Sequence, residues 1–170
     1  MIRIAILGDI GAGKSFVSKQ FNCPLFNADK EVAEIYKKDR SCYQKIKASK
    51  ILITNRTKIK SENLKNKFSD INLVDWGDTP TADVVINVTS LGLNPNDKID
   101  LDYEKIGKDK FFYDVIYKPS KTSFLDEAKK RGNVIENGKM MFAYQAQKAF
   151  ELWNNLKPEI NEQVLNILND

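Results

Sequence analysis

The chain has 170 residues, 29% of them charged, with a formal net charge of +4 and no histidine. This length suits one α/β domain, and the small positive charge lacks the dense cationic stripe typical of nucleic-acid-binding proteins. The absence of histidine excludes Ser-His and Cys-His nucleophile pairs, so proton transfer would depend on Asp, Glu, Lys, Tyr or a bound cofactor.

The first 47 residues contain two predicted strands and two predicted helices. A β-branched run at 2–7 predicts a buried strand, and a glycine-rich turn after it leads into a helix over about 13–21. A short strand at 24–27 precedes a helix over roughly 29–47. Because no apolar run is long enough to cross a bilayer and the chain opens directly into strand pattern, we expect no membrane contact and no signal peptide.

The residues after 47 continue this alternation of predicted strands and helices. Apolar runs predict strands near 51–54, 72–75, 83–87, 111–115 and 133–136. Helical spacing predicts helices over about 58–67, 121–131, a long segment after Gly138, and a final segment at 160–168. On the long helix, Phe150 and Trp153 share one face and are expected to be core residues, with Met141 beneath them.

Strands alternating with helices predict an α/β fold. We expect a Rossmann-like three-layer fold, with a mostly parallel sheet and helices on both faces. Ligands in such folds bind at the carboxyl ends of the strands. Cys23 and Cys42 match no metal or redox spacing, which favours free thiols in a reducing cytoplasm.

The turn after the first predicted strand fits the phosphate-binding pattern G-x-x-x-x-G-K-[ST]. Glycines there let backbone N–H groups surround a phosphate, Lys14 would reach the terminal phosphates, and Ser15 would hold Mg²⁺. The alternative is a glycine turn that only connects two elements. The predicted phosphate-binding residues are Gly8, Gly11, Gly13, Lys14 and Ser15.

Together with 26–29, this turn resembles the start of dephospho-CoA kinase, and the resemblance covers about residues 1–45. It implies binding of ATP and Mg²⁺, with Asp29 accepting the proton of a ribose 3′-hydroxyl. Asp29 is equally suited to cap the helix that follows. The CoA-binding region and the arginine-bearing lid of that family have no counterpart in the chain.

From about residue 48 onward the chain resembles the C-terminal, cofactor-binding half of shikimate dehydrogenase. The run Asn55-Arg56-Thr57, followed by Lys60, matches the NADP motif of that family, and an Arg at this place suits a 2′-phosphate. A solvated charged turn is the alternative. Further matching blocks are the loop at 87–92, the segment 114–122 and the segment 137–145. The resemblance implies cofactor contacts from Thr89 and Gly138, and places Tyr117 and Gln145 on the substrate side.

Two differences between this chain and the shikimate dehydrogenase family bear on the expected dehydrogenase activity. The family has a substrate domain upstream, with its catalytic Lys and Asp, and the chain has no room for it. The family's dinucleotide turn also has glycine where this chain has Ile10, and a branched side chain there would crowd a pyrophosphate.

Three hypotheses follow for the function. The first is an NADP(H)-binding domain with little or no shikimate oxidation, the second is an ATP-binding P-loop protein, and the third is a non-enzymatic fusion fragment. Residues 1–47 and 48–170 are expected to form one folded unit. The C-terminal helices carry Ile160, Val164 and Leu168 on one stripe, which favours homo-oligomer formation through an exposed apolar face.

Overall fold

A computed structural model describes residues 50–168 of the chain. The expectations for residues 1–49, which include the glycine turn and Asp29, lie outside the described residues. Within the described range the strands are β1 (Ile51–Ile53), β2 (Ile71–Leu73), β3 (Val84–Asn87), β4 (Phe111–Asp114) and β5 (Val134–Glu136).

The helices of the described range lie between and after these strands. They are α1 (Lys58–Lys67), α2 (Tyr103–Ile106), α3 (Ser123–Lys130), α4 (Lys139–Asn154) and α5 (Glu162–Ile167). Each strand and helix predicted after residue 50 is therefore found, with ends that differ from the prediction by at most a few residues.

Strands β3, β4 and β5 form a parallel sheet in that order. The register pairs Val84 with Phe111 and Phe111 with Val134, so the three strands start at the same level. Strands β1 and β2 form a separate pair within the described residues. Parallel neighbours need a crossover connection, and α3 lies in the connection between β4 and β5. The predicted parallel α/β class is confirmed.

The core of this sheet lies on the face covered by α2 and α3. On β4 the side chains alternate, and Phe112 and Asp114 are buried while Phe111 and Tyr113 are partly exposed. Phe112 packs against Phe124 of α3, with ring centroids 5.4 Å apart. Burying a side chain of this size stabilises the fold by roughly 1.5–3 kcal/mol. The cluster consists of Ile106, Phe112, Phe124, Leu125 and Ala128.

Helix α3 forms where the sequence offers both a cap and an apolar stripe. Thr122 precedes the first turn, and its hydroxyl accepts a hydrogen bond from the backbone N–H of Leu125 at 3.4 Å. The buried positions 124, 125 and 128 recur at helical spacing. On the opposite side, Asp126 forms ion pairs with Lys121 and Lys130.

The sequence did not predict α2, which has only four residues. A helix this short contains barely one turn, so it cannot show a periodic pattern. It is specified by its cap, because the Asp102 carboxylate accepts a hydrogen bond from the backbone N–H of Lys105 at 3.0 Å. Tyr103 then stacks on Phe112, with ring centroids 5.9 Å apart.

The expectation that Phe150 and Trp153 are core residues is wrong for the described structure, because each is 43% exposed. Helix α4 instead buries Ala143, which lies on nearly the same side of the helix as Phe150 and about a quarter turn from Trp153. Spacing identifies an apolar face but does not say which face is covered. Among the described residues, no helix has the length and apolar content that a membrane span requires.

Candidate functional site

The carboxyl ends of β3 and β4 carry a buried polar pair, Asn87 and Asp114, which the register places side by side. The Asn87 amide donates to one Asp114 carboxylate oxygen at 3.1 Å, and also to the backbone carbonyl of Leu91 at 3.0 Å. Both residues are the last of their strands. They therefore fix the positions of the two loops that begin there.

The Asp114 carboxylate is fully buried and accepts hydrogen bonds from three different partners. Besides Asn87, these are the backbone N–H of Ile116 at 3.0 Å and the hydroxyl of Thr122 at 2.6 Å. A buried carboxylate is tolerated only where such donors replace its hydration. One side chain thus connects the end of β3, the loop after β4 and the start of α3.

The loop after β3 is organised around Thr89. The Asn87 side-chain oxygen accepts from the Thr89 backbone N–H at 3.0 Å and from the Thr89 hydroxyl at 2.7 Å. The Thr89 hydroxyl in turn accepts from the backbone N–H of Leu91 at 3.1 Å. The Thr89 side chain therefore makes its hydrogen bonds within its own loop, and a ligand beside it would contact the loop backbone.

Gly92 ends this loop in a conformation that requires glycine. Its φ is +118°, and a Cβ atom there would lie 3.1 Å from the Cγ2 atom of Thr122. Both facts exclude a larger residue without rearrangement. The loop can therefore lie directly against the start of α3.

Gly138 lies at the start of α4, pressed against the loop after β4. A Cβ atom at this position would lie 2.0 Å from the backbone oxygen of Val115, and the Gly138 N–H donates to the carbonyl of Ile116 at 3.2 Å. Its φ of −74° is open to any residue. Glycine is needed here for space, so that the helix can approach the strand end closely.

The two predicted substrate-side residues are both neighbours of Phe142, which lies on α4. Tyr117 stacks on Phe142, with ring centroids 4.5 Å apart and an angle of 21° between the rings. Gln145 follows Phe142 by three residues on the same helix, and its side chain is exposed. Positions three apart are neighbours on a helix surface, so the stacked tyrosine and the amide border the same surface.

The predicted NADP motif lies elsewhere, at the turn between β1 and α1. The Asn55 side-chain oxygen accepts from the backbone N–H of Thr57 at 2.8 Å, which shapes the turn. Arg56 is exposed, and its guanidinium forms no ion pair within residues 50–168. Helix α1 has no acidic residue in its first turn, and the Thr57 side chain does not cap it. Lys60 is exposed within that turn.

The structure thus brings Thr89, Gly138 and Tyr117 to one end of the β3–β4–β5 sheet and places Arg56 beside the β1–β2 pair. An open groove of about 580 Å³ lies next to this end, bordered by 92–95, Pro119, 121–123 and Asp126. The predicted phosphate turn at Gly8–Ser15 lies outside the described residues.

Sequence reasoning did not single out Asn87 and Asp114 as partners. They stand 27 residues apart, and Thr122 joins them from a third segment. A signal was nevertheless present, because each polar residue ends an otherwise apolar strand. A polar residue in that position is either exposed or hydrogen-bonded, and among the described residues every buried side-chain nitrogen and oxygen has a partner.

The described residues have parallel strands with crossover helices, loops shaped at the carboxyl ends of the strands, and a basic turn after β1. These features define a Rossmann-like nucleotide-binding domain. No family model matches the chain. The C-terminal part of the chain, about 70% of it, is homologous to shikimate dehydrogenases and resembles their NADP-binding domain.

Two curated relatives illustrate the sequence similarity. Shikimate dehydrogenase (NADP(+)) of Pelagibacter ubique is 50% identical over 125 residues, which cover 74% of this chain and 47% of that protein. The enzyme of the same name from Methanococcus aeolicus is 38% identical over 130 residues, covering 71% of this chain and 47% of that protein. The chain therefore spans about half the length of these relatives.

Solved structures agree with the sequence comparison. The shikimate dehydrogenase of Aquifex aeolicus matches with a TM-score of 0.57 and 30% identity, over 70% of this chain and 44% of that chain. Shikimate 5-dehydrogenase of Thermus thermophilus, solved with NADP(H) and shikimate, matches with a TM-score of 0.59 and 28% identity, over 71% of this chain and 45% of that chain. The predicted Rossmann-like fold is confirmed. The resemblance of residues 1–45 to dephospho-CoA kinase, and with it ATP and Mg²⁺ binding, stays a prediction.

Proposed function

We propose that this chain binds NADP(H) as a cofactor domain of the shikimate dehydrogenase type, with Arg56 holding the 2′-phosphate. The observation that carries the proposal is the exposed Arg56 guanidinium, which has no ion-pair partner within residues 50–168 and stands three residues after the end of β1. In Rossmann-like domains an arginine near this place accommodates the 2′-phosphate that distinguishes NADP from NAD.

The turn around Arg56 suits an anion for two further reasons. The first N–H groups of an α-helix have no intrahelical partner and carry partial positive charge. In α1 the Thr57 side chain does not cap them and no acidic residue stands in the first turn to repel a phosphate. Lys60 adds a second cation within that turn. A dianionic phosphate would therefore meet backbone donors and two cations.

The rest of the dinucleotide would extend toward the carboxyl ends of β3 and β4. There the loop at 87–92 is held by its own hydrogen bonds, so we assign Thr89 to shaping the backbone surface that faces the cofactor. Gly138 acts in the same way, because it lets α4 approach the loop after β4. Bound NADP(H) would supply hydride transfer. Tyr117 and Gln145 would border the substrate side of that position.

Titration of the purified chain with NADPH and NADH, followed by nicotinamide fluorescence, tests the assignment. We expect NADPH to bind more tightly than NADH. Arg56→Ala should weaken NADPH binding by about 10- to 150-fold, because a hydrogen bond to a charged group contributes about 1.5–3 kcal/mol. NADH binding should change little.

Lys67→Ala is the matched control, since it removes one exposed positive charge from the last turn of the same helix. It should leave the NADPH affinity within about twofold of the original. Equal loss of NADPH binding in both variants would show that net charge, rather than Arg56, determines affinity. Absence of NADPH binding by the unmodified chain would refute the proposed function.

We further propose that the 170-residue chain alone does not oxidise shikimate. The catalytic Lys and Asp expected from the resembled family have no counterpart identified in its sequence, and the chain spans about half the length of its relatives. Incubation with shikimate and NADP⁺ while following absorbance at the NADPH maximum is the test. Sustained NADPH formation above a no-protein control would contradict this proposal and leave the one on cofactor binding intact.

A further inference from the structure

The Asp114 carboxylate ends β4 and is fully buried, so it acts only through the groups that bind it. One carboxylate oxygen accepts hydrogen bonds from the Ile116 backbone N–H at 3.0 Å and from the Asn87 amide at 3.1 Å. The other oxygen accepts from the Thr122 hydroxyl at 2.6 Å. Well-packed apolar side chains often stabilise a fold as well as buried charged groups do, so stability alone does not account for a carboxylate at this place.

On the β3 side, the hydrogen bonds of this carboxylate lead to Thr89. A carboxylate accepts hydrogen bonds but does not donate them, so Asn87 turns its NH₂ group toward Asp114. This orientation leaves the Asn87 amide oxygen for the Thr89 hydroxyl at 2.7 Å and for the Thr89 backbone N–H at 3.0 Å. The path of the chain after β3 therefore depends on the carboxylate.

On the β4 side, they lead to Tyr117 and Gly138. The Ile116 backbone N–H donates to the carboxylate, and the Ile116 carbonyl accepts from the Gly138 N–H at 3.2 Å. Tyr117 is the next residue of the chain. Three of the residues expected to contact cofactor or substrate are thus each connected to Asp114 through a single intervening residue.

The far end of the loop after β3 packs against the same partners. A Cβ atom at Gly92 would lie 3.1 Å from the Thr122 Cγ2 atom and 3.3 Å from the Ile116 Cδ1 atom. The loop is therefore fixed at its start by Asn87 and at its end by Thr122 and Ile116, all of which bind the same carboxylate. Displacement of that carboxylate would move both ends of the loop.

We propose that Asp114 is a positioning residue for the nicotinamide half of the cofactor, an assignment that rests on the proposed binding of NADP(H). Ligands of parallel sheets bind at the carboxyl ends of the strands, and this carboxylate joins the two loops that begin there on β3 and β4. Arg56 belongs instead to the turn after β1, in the β1–β2 pair. The two halves of the dinucleotide thus depend on different parts of the structure, and a change at Asp114 affects only the nicotinamide half.

Calorimetric titration with NADPH and with adenosine 2′,5′-bisphosphate, which carries the 2′-phosphate but no nicotinamide, tests the proposal. Asp114→Ala should weaken NADPH binding by about 10-fold or more, because displaced loops lose one or two hydrogen bonds to the cofactor. Its affinity for the bisphosphate should stay within about twofold of the original, the usual agreement for sites that do not interact. The change in nicotinamide fluorescence on NADPH binding should also decrease.

Asp114→Asn is the conservative variant that should restore binding. Its side-chain oxygen can still accept from Asn87 and Ile116, and its NH₂ group can donate to the Thr122 hydroxyl oxygen. Its NADPH affinity should therefore lie within about threefold of the original. Where Asp114→Ala is unfolded by circular dichroism, Thr122→Val takes its place, since it removes one donor and should weaken NADPH binding by about 3- to 10-fold.

Phe124→Leu is the matched control for loss of stability. Phe124 is buried on α3 in the apolar cluster, and the substitution removes no hydrogen bond of the carboxylate. The variant should unfold at a lower urea concentration than the original chain and keep both affinities.

The two ligands separate failure of this assignment from failure of the proposed function. NADPH binding by Asp114→Ala as tight as the original, or an equal loss for NADPH and the bisphosphate, would show that the carboxylate only stabilises the fold and would overturn the assignment. An equal loss of NADPH affinity in Asp114→Asn and Asp114→Ala would overturn positioning through hydrogen bonds. Absence of binding of both ligands by the unmodified chain would instead refute NADP(H) binding itself.

Discussion

Replacing Gly138 with alanine has two opposite effects on the free energy of unfolding. The φ of −74° is one that alanine adopts freely, so backbone entropy alone predicts a gain of about 0.4–1 kcal/mol. The added Cβ, however, would lie 2.0 Å from the Val115 oxygen and 2.5 Å from its carbonyl carbon. Both atoms are backbone, so no side-chain rotation can relieve the contact.

The structure indicates which effect dominates. Reaching an ordinary contact distance requires the start of α4 to move by more than 1 Å, a strain of about 1–3 kcal/mol or more. The same movement lengthens the 3.2 Å hydrogen bond from Gly138 to Ile116, a further loss of about 1 kcal/mol. After the entropy gain is subtracted, we expect Gly138→Ala to lower the free energy of unfolding by about 2–3 kcal/mol, and the melting temperature by roughly 10 °C.

Urea denaturation followed by circular dichroism measures this change. Gly107→Ala is the comparison, because a Cβ at Gly107 would meet nothing within 4 Å, although its φ is +89°. That variant should lose about 1–3 kcal/mol, from backbone strain alone, because a φ of +89° with a ψ of −163° is a conformation that essentially only glycine adopts. An unfolding free energy of Gly138→Ala within 0.5 kcal/mol of the original, about the error of such comparisons, would show that α4 shifts without strain and would refute the reasoning.

Two more predictions concern carboxylates. Asp114→Ala should lower the unfolding free energy by about 3 kcal/mol or more, because it removes the acceptor of the Thr122 hydroxyl, of the Ile116 backbone N–H and of one of the two Asn87 amide hydrogen bonds. Urea denaturation measures this change, and a loss under about 1 kcal/mol would contradict the assigned role. Hydrogen bonds from Lys121 and Lys130 lower the pKa of Asp126 to about 2. Because this pKa is depressed, the stabilisation is complete above pH 4 and is lost as the pH falls toward 2. The melting temperature of Asp126→Asn should thus lie below that of the original chain at neutral pH, and the difference should shrink in that window; a constant difference would argue against the ion pairs.

The sequence predicted the strands and most helices after residue 50 because each carries a local signal. Helix α1 begins and ends at Lys58 and Lys67, the limits expected from the sequence. Strand β4 was recognisable from its aromatic and β-branched run. Such signals depend on neighbouring residues only, and a chain contains them whatever its tertiary contacts are.

The rest of the structure depends on contacts between distant segments. The short helix α2 is specified by one cap and by the stacking of Tyr103 on Phe112, which no periodicity reveals. The exposure of Phe150 and Trp153 depends on what lies against α4. In the candidate site, the NADP motif in the sequence was enough to single out Arg56. The close packing of Gly138 against Val115 is visible only in the structure.

The pairing of Asn87 with Asp114 has a consequence for how the sheet assembles. Alternation of buried and exposed side chains excludes a slip of β4 by one residue, since every side chain would change faces. A slip by two keeps the faces but moves Phe112 away from Phe124 and puts Lys110 or Asp114 in its place in the core, so the aromatic packing opposes it. It would also move the Asp114 carboxylate away from the Asn87 amide and leave a buried charge short of donors, at a cost of several kcal/mol. The polar pair at the strand end therefore adds a second restraint on the register to the one that Phe112 provides inside the strand.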